Sequence, residues 1–268
     1  MGRGACRGLK YTAADVERMT KVVSRDLNGI VELPLWTLGE FCQVCGHPGI
    51  SGLFCNACGD HERIRAVSGG MADRVVPLTY AWWGTQIWND IYNYKKPDEE
   101  VARDGRIRLM KLGWWGTVVH GRCIESLAPG MDLAMVTVPS TKGRLGVHPI
   151  ESIARLFPDT WARTTAHPSK AVGRAYDPTA FILDNPGSVE NKHTIVFDDT
   201  WATGARAQSL ATAVRVAGAA YVTVLVLANH LKPSVWPSLA DFRKKNPSLG
   251  WSVDQCPVRD VTCLATLV

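Results

Sequence analysis

At 268 residues and 29.3 kDa the chain can hold one large α/β domain with an accessory module, or two modest domains, and its 46% hydrophobic content places it among globular proteins. No run of about 18 uncharged apolar residues is present, and the start, MGRGACRGLKYTAADVERM, lacks the apolar segment and cleavage site of a secretion signal, so the sequence excludes a membrane anchor and predicts a cytoplasmic protein. The net charge of +5 suits an anionic ligand but falls short of the basic density of a dedicated nucleic-acid binder.

Residues 1–11 are rich in Gly and Arg and read as loose. From Ala13 to about Leu27, Val16, Met19, Val22 and Val23 recur at helical spacing behind Thr12 as a cap, which predicts a short amphipathic helix. After a cysteine segment at 42–58 comes RVVPLTYAWWGTQIWNDIYNYKKPDEE. Five of the ten tryptophans, Trp82, Trp83, Trp88, Trp114 and Trp115, cluster in this middle part of the chain. Core packing is favoured for them over a base-stacking platform, because such platforms pair aromatics with dense Lys and Arg, which are missing here.

Beyond residue 130 strands alternate with helices. LAMVTV (133–138), TIVF (194–197) and YVTVLVLA (221–228) read as buried strands. PIESIARLF (149–157), with Pro149 first, and ARAQSLATAVRVAG (205–218), stopped by Gly218, read as helices. That alternation predicts an open, mainly parallel sheet with helices on both faces. The stretch from about Trp161 to Asn191 has no period and reads as one long loop, a length that is usually functional.

CQVCGHPGISGLFCNAC spaces Cys42, Cys45, Cys55 and Cys58 as C-x2-C-x9-C-x2-C. Two such knuckles bring four thiolates to a tetrahedral Zn2+, with Gly46 and Gly59 after each pair for the tight turns. Redox pairs or an iron–sulfur site are the alternatives, and His47 or His61 could replace a ligand. Four filled positions make the metal structural. The remaining cysteines, Cys6, Cys123, Cys256 and Cys263, are scattered.

HTIVFDDTWATGA (193–205) puts Asp198 and Asp199 at the end of an apolar strand and follows them with a turn of small residues. In a parallel sheet, ligands gather beyond the carboxyl ends of strands, where the next helix offers unpaired N–H groups to anions. Adjacent carboxylates repel each other, so hydroxyl donors or a divalent cation are expected beside them. Thr200, Trp201, Ala202, Thr203, Gly204, Ala205 and Arg206 form a turn sized for one phosphate, without the Lys of a nucleotide P-loop or the glycine spacing of a dinucleotide turn. A monophosphate at a helix start beside a diol at two carboxylates describes a phosphorylated ribose. The structural alternative is that Asp199 caps the helix while Asp198 pairs with a base. Trp201 either walls the acceptor pocket or packs in the core. VTVPSTKGRLG (136–146) repeats the logic, since Lys142 and Arg144 around Gly143, with Ser140 and Thr141, can clasp a diphosphate.

IVFDDTWATGA resembles the phosphoribosyl-diphosphate (PRPP) motif of type I phosphoribosyltransferases, with Ala202 where the first loop Thr is usual and Arg206 where a hydroxyl is common. The resemblance implies that Asp198 and Asp199 hold the ribose hydroxyls, that the turn through Arg206 holds the 5′-phosphate, and that Ser140 to Arg144 contact pyrophosphate. It makes 161–191 a flap in which Lys170 and Arg174 are the basic residues of interest, with solvated surface charge as their alternative. A cysteine knuckle ahead of this motif is similar to the ComF family, phosphoribosyltransferase-like proteins linked to natural competence and DNA uptake. TYAWWGTQIWNDIYNYKK sits where that family has a Tyr-led helix, and AVGRAYDPTAF (171–181) is similar to its Arg-rich segment. The implied activity is PRPP binding with Mg2+ and phosphoribosyl transfer to a nitrogen acceptor; the implied alternatives are a non-catalytic module that meets single-stranded DNA or a competence protein, and a zinc-stabilised interaction protein. The expected divisions are an N-terminal extension (1–40), a zinc module (41–62), the phosphoribosyltransferase-like domain (63–235) and a C-terminal extension packed on it (236–268). A homodimer is left open.

Overall fold

The computed structural model describes residues 12–33, 40–68, 70–96, 99–140, 148–169, 173–233, 237–261 and 263. In chain order its elements are α1 (Ala13–Leu27), α2 (Asn56–Ser68), β1 (Arg74–Pro77), β2 (Tyr80–Trp82), α3 (Gln86–Asn93) and α4 (Glu99–Trp114). A π-helical turn (Trp115–Val119) prolongs α4 and leads to α5 (Gly121–Glu125), β3 (Leu133–Thr137), α6 (Ile150–Ala154), β4 (Ala162–Arg163), β5 (Ala166–Pro168) and β6 (Phe181–Leu183). The chain continues through β7 (His193–Trp201), α7 (Ala205–Val216), β8 (Tyr221–Leu231) and α8 (Pro237–Lys245). Among the described residues no helix is long and apolar enough to cross a membrane.

The sheet runs β1-β8-β7-β3-β4, with β2 also paired to β8, and every pairing in it is parallel. Its central strands are apolar on both faces, as a parallel sheet covered on both sides requires. The pleat sorts their side chains. Met135, Ile195, Phe197, Leu225 and Leu227 join a core with residues of α1, α3, α4, the π-helical turn and α6. Ala134, Val136, Val196, Val222, Val224 and Val226 face the other way, against α7 and the four cysteines. Helices therefore cover both faces.

The N-terminal helix begins at Thr12, whose hydroxyl caps Asp15 in a reciprocal capping box, and it buries Val16, Val23 and Leu27 in the main core. At the other end α8 places Phe242 flat against Trp82, 6.3 Å between centroids, and Arg243 forks onto Glu32. Among the described residues, α1 and α8 thus pack on the sheet and its helices.

Several sequence expectations need correction. Strand β7 continues to Trp201, four residues past 197, and β8 to Leu231. The helix expected over 149–157 closes after one turn, with Pro149 as its cap. Residues 161–191 are not one structureless loop: β4 pairs with β3, and β5 with β6 form an antiparallel ribbon. Tyr80 lies in β2 and leads no helix; the helix starts at Gln86, capped by Thr85. The boundary expected at 62/63 falls inside α2, and Gly59 lies within that helix, so only Gly46, at φ 70°, makes a left-handed turn after a cysteine pair.

His193, the first residue of β7, is fully buried and meets the Thr223 hydroxyl at 2.8 Å. Burial lowers its pKa to about 4. The unfolded chain, with an ordinary imidazole near pH 6.5, binds the proton first, so stability is complete above that pH and is lost as pH falls towards 4. The loss attributable to this residue is about 3 kcal/mol, at about 1.4 kcal/mol per tenfold change in proton affinity. Denaturant titrations from pH 7 to 4 should show a shallower decline for His193→Asn than for the wild type; equal slopes would contradict this assignment.

Candidate functional site

The carboxyl end of β7 opens into a cleft of about 410 Å3 lined by Asp198, Asp199, Thr200, the turn 202–204 and the first residues of α7. Lys95, Ser140, His148 and Arg174 complete its wall. Of the residues singled out from sequence, Asp198, Asp199, Thr200, Ala202, Thr203, Gly204, Ala205, Arg206, Ser140 and Arg174 converge here. Thr141, Lys142, Gly143, Arg144 and Lys170 lie outside the described residues.

The two aspartates are not equivalent. Continuing the pleat from Ile195 and Phe197 turns Asp199 towards the α3 face, while Asp198, following Val196, turns towards the α7 face. Ladder pairing links Asp198 to Val226 and resumes at Thr200 with Ala228, skipping Asp199. Asp199 is buried and ion-paired with Lys95; it accepts a hydrogen bond from the Tyr94 hydroxyl at 2.6 Å and one from the Thr200 hydroxyl at 3.0 Å. Burial alone would raise its pKa, but the Lys95 ammonium and these hydrogen bonds hold it below the ordinary aspartate value. Asp198 is half-buried and accepts from the Asp199 amide at 2.8 Å. Desolvation, then the charge of Asp199, push Asp198 well above the usual carboxylate range.

In the structural alternative Asp198 pairs with a base and Asp199 caps the helix; instead Asp199 is the one ion-paired, with Lys95, and it does not cap α7. Gly204 occupies the cap position of α7 at φ 76°, and no side chain caps the helix. The backbone N–H groups of Ala202, Thr203 and Gly204 meet no acceptor among the described residues, and the Ala205 amide has only a long 3.5 Å contact to the Thr203 hydroxyl. Such amides at a helix start, with Arg206 and Arg174 lining the same cleft, have the chemistry that could receive an anion.

Trp201, grouped with the turn in the sequence reading, lies beneath it. Its indole is buried and absent from the cleft wall, so packing is its role. The ring sits directly under Gly204, where any Cβ would overlap it. His61 of α2 meets the same indole edge-on at 6.4 Å. The segment behind Arg174 is tied to α7 by Tyr176 to Thr212 at 3.0 Å and by the Asp177 amide to Ser209 at 2.9 Å.

Cys42, Cys45, Cys55 and Cys58 are all buried, with their sulfurs mutually within 4.8 Å. The Gly46 amide turns back to the Cys42 carbonyl at 2.8 Å and the Gly59 amide to that of Cys55 at 2.8 Å. Four buried sulfurs so placed could hold a zinc ion, and the donor set leaves no open coordination position. His47 and His61 stand outside this cluster. The module is fastened to the sheet by Asn229, whose side-chain amide donates to the Cys45 carbonyl at 2.7 Å, and by the Tyr80 hydroxyl, which donates to the Gly46 carbonyl. Asn229 pairs in register with Trp201, so the cysteine module braces the strand end that carries the turn.

Sequence reading missed Tyr94, Lys95 and His148. The signal for the first two was the aromatic–basic run YNYKK at the end of α3, which served only as a landmark. His148 carried no signal beyond following the basic loop.

Replacing Gly204 with alanine adds a methyl group against a buried indole at a left-handed backbone position. A loss of about 2–4 kcal/mol is expected, measured by denaturant unfolding. Trp201→Phe in that background should recover part of the loss; strict additivity of the two changes would show that the contact does not set the turn.

No protein-family description and no curated protein matches the chain. Among solved structures, it is similar to a hypoxanthine phosphoribosyltransferase from Staphylococcus aureus, at 14% identity and a TM-score of 0.30. The match covers 44% of this chain and spans 62% of that one.

Proposed function

We propose that the chain is a phosphoribosyltransferase-like protein of the ComF type that binds PRPP or another ribose 5-phosphate. One observation carries this reading: amides at Ala202, Thr203 and Gly204 that meet no acceptor among the described residues share a cleft with a carboxylate, Asp198, that makes no ion pair among those residues. In this reading the 5′-phosphate lies on the turn with Arg206 beside it, and Asp198 accepts from the ribose hydroxyls. Asp199 keeps Lys95 and Tyr94 in place at the same end of the sheet. The diphosphate is assigned to Ser140, which lines the cleft, and to Thr141, Lys142, Gly143 and Arg144, which with Lys170 lie outside the described residues; Arg174 stands in the same cleft. Transfer breaks the bond between the anomeric carbon and the diphosphate oxygen and forms one to a nitrogen acceptor, with pyrophosphate leaving. The chain's task is positioning, charge neutralisation and exclusion of water. Mg2+ held with PRPP would supply further positive charge at the departing diphosphate. Zinc in the four-cysteine module is structural.

Asp198 is the place to test this. An ionised carboxylate pushed up by burial and a like charge costs stability as pH rises above the ordinary aspartate value, so Asp198→Asn should raise the melting temperature at pH 7. The same change should weaken ribose 5-phosphate binding in calorimetry at least tenfold, about 1.4 kcal/mol or more. Unchanged affinity would remove the assignment. Pyrophosphate release from PRPP, screened across nucleobases and amines, tests turnover, with Asp198→Asn plus Asp199→Asn as control.

A second reading, single-stranded nucleic-acid binding, is favoured by a surface ladder that the sequence reading set aside. Trp83, 52% exposed, and Tyr92, 61% exposed, flank Trp88 at centroid distances of 4.3 and 5.4 Å, with Lys232 over Trp83 and Lys96 over Tyr92. Such a ladder stacks bases without sequence preference. It predicts affinity for oligothymidine that falls steeply with salt and is lost in Trp83→Ala with Tyr92→Ala; PRPP turnover that is indifferent to this double variant, with no DNA binding, would favour the first reading.

A further inference from the structure

A second group of metal-ligating side chains assembles on the helical side of the fold. His120, Cys123, Cys256 and Cys263 each bring one ligand atom within 4.8 Å of all the others. In the sequence these ligands look scattered, because His120 and Cys123 come from the α5 region and Cys256 and Cys263 from the C-terminal segment. We infer that these four residues form a second structural zinc site, of Cys3His type, which pins the tail to the helical layer.

His120 and Cys123 lie three residues apart at the opening of α5, a spacing that puts both side chains on one face. The His120 Nδ1 stands 3.9 Å from the Cys123 sulfur and 3.8 Å from the Cys263 sulfur, and the two sulfurs are 3.9 Å apart. Ligands of a tetrahedral zinc, at about 2.0–2.3 Å from the metal, are separated by roughly 3.4–3.8 Å. The four-cysteine module shows the same spacing, with 3.9 Å between the sulfurs of Cys45 and Cys55. A disulfide would need about 2.05 Å.

The imidazole is already oriented for a metal. Its Nε2 lies 3.3 Å from the Val253 carbonyl, which can only accept, so the ring proton belongs on Nε2 and the Nδ1 lone pair points at the sulfurs. A ligating histidine commonly anchors its other nitrogen on a backbone carbonyl in this way. Trp115 fixes the ring from the side, edge-on at 4.8 Å, and its indole N–H donates to the same carbonyl at 2.7 Å. Three thiolates and an imidazole in tetrahedral reach suit zinc over hard cations such as Mg2+ or Ca2+. Four protein ligands make the site structural. The pinned tail lays Trp251, Val253, Val258 and Val261 on the main core, and Arg259 reaches Gln43 in the four-cysteine module.

The test is elemental analysis of the full chain, purified under reducing conditions without a metal-binding tag. Two zinc ions per chain are expected for the wild type, and one for Cys263→Ser or for Cys123→Ser with Cys263→Ser; Cys263 is exposed, and circular dichroism checks that each variant keeps the wild-type fold. Loaded with Co2+, the wild type should show superposed four-thiolate and three-thiolate–imidazole spectra, and the variants only the former. A wild-type content of one ion that drops to zero in the variants would keep this site and take the metal from the four-cysteine module. Equal zinc content in wild type and the double variant would overturn the inference.

Discussion

The contact between the Trp201 indole and Gly204 organises the end of the sheet. An indole this close admits only glycine above it, and glycine at φ 76° makes the left-handed turn that leads into α7, where the amides of Ala202, Thr203 and Gly204 meet no acceptor among the described residues. The indole in turn needs a wall. His61 of α2 and the register partner Asn229, which holds the Cys45 carbonyl, supply it. The cysteine module therefore bears on the cleft without touching it: the Cys45 carbonyl holds Asn229, Asn229 pairs in register with Trp201, and Trp201 lies under the turn.

The acidic pair follows a similar division of labour. The pleat assigns neighbouring residues to opposite faces, so one carboxylate is absorbed into the helical layer and the other is left in the cleft. Asp199, Lys95 and Tyr94 make a satisfied buried polar group that ties α3 to β7. Asp198 sits next to that negative charge with little to offset it, which is unfavourable for the folded chain. Groups held in such a state are those that a ligand can relieve, and functional sites collect them.

Much of this architecture was legible in the sequence because it depends on short-range patterns. Apolar runs of strand length, separated by helical segments, gave the parallel sheet, and the C-x2-C pairs gave the cysteine cluster. The turn at 200–206 was visible from its small residues. Features that depend on tertiary pairing were not. Strand β7 extends through its acidic residues because β8 offers it a partner as far as Asn229, and the ribbon of β5 and β6 is made of short segments whose own periodicity is too brief to read. Lys95 and Tyr94 reach Asp199 across more than a hundred residues of chain, so no local pattern announces them. Cys123 and Cys263 meet across a still longer separation, and only their coordinates make a cluster of them.

The proposed function requires the amides of Ala202, Thr203 and Gly204 to receive a sugar phosphate. Backbone amide NMR during titration with ribose 5-phosphate, with ribose as the control, reads those groups individually. The account predicts large downfield shifts at Ala202, Thr203 and Gly204 that saturate with the phosphorylated sugar and are absent with ribose. Shifts confined to other parts of the chain, or none at all, would contradict it.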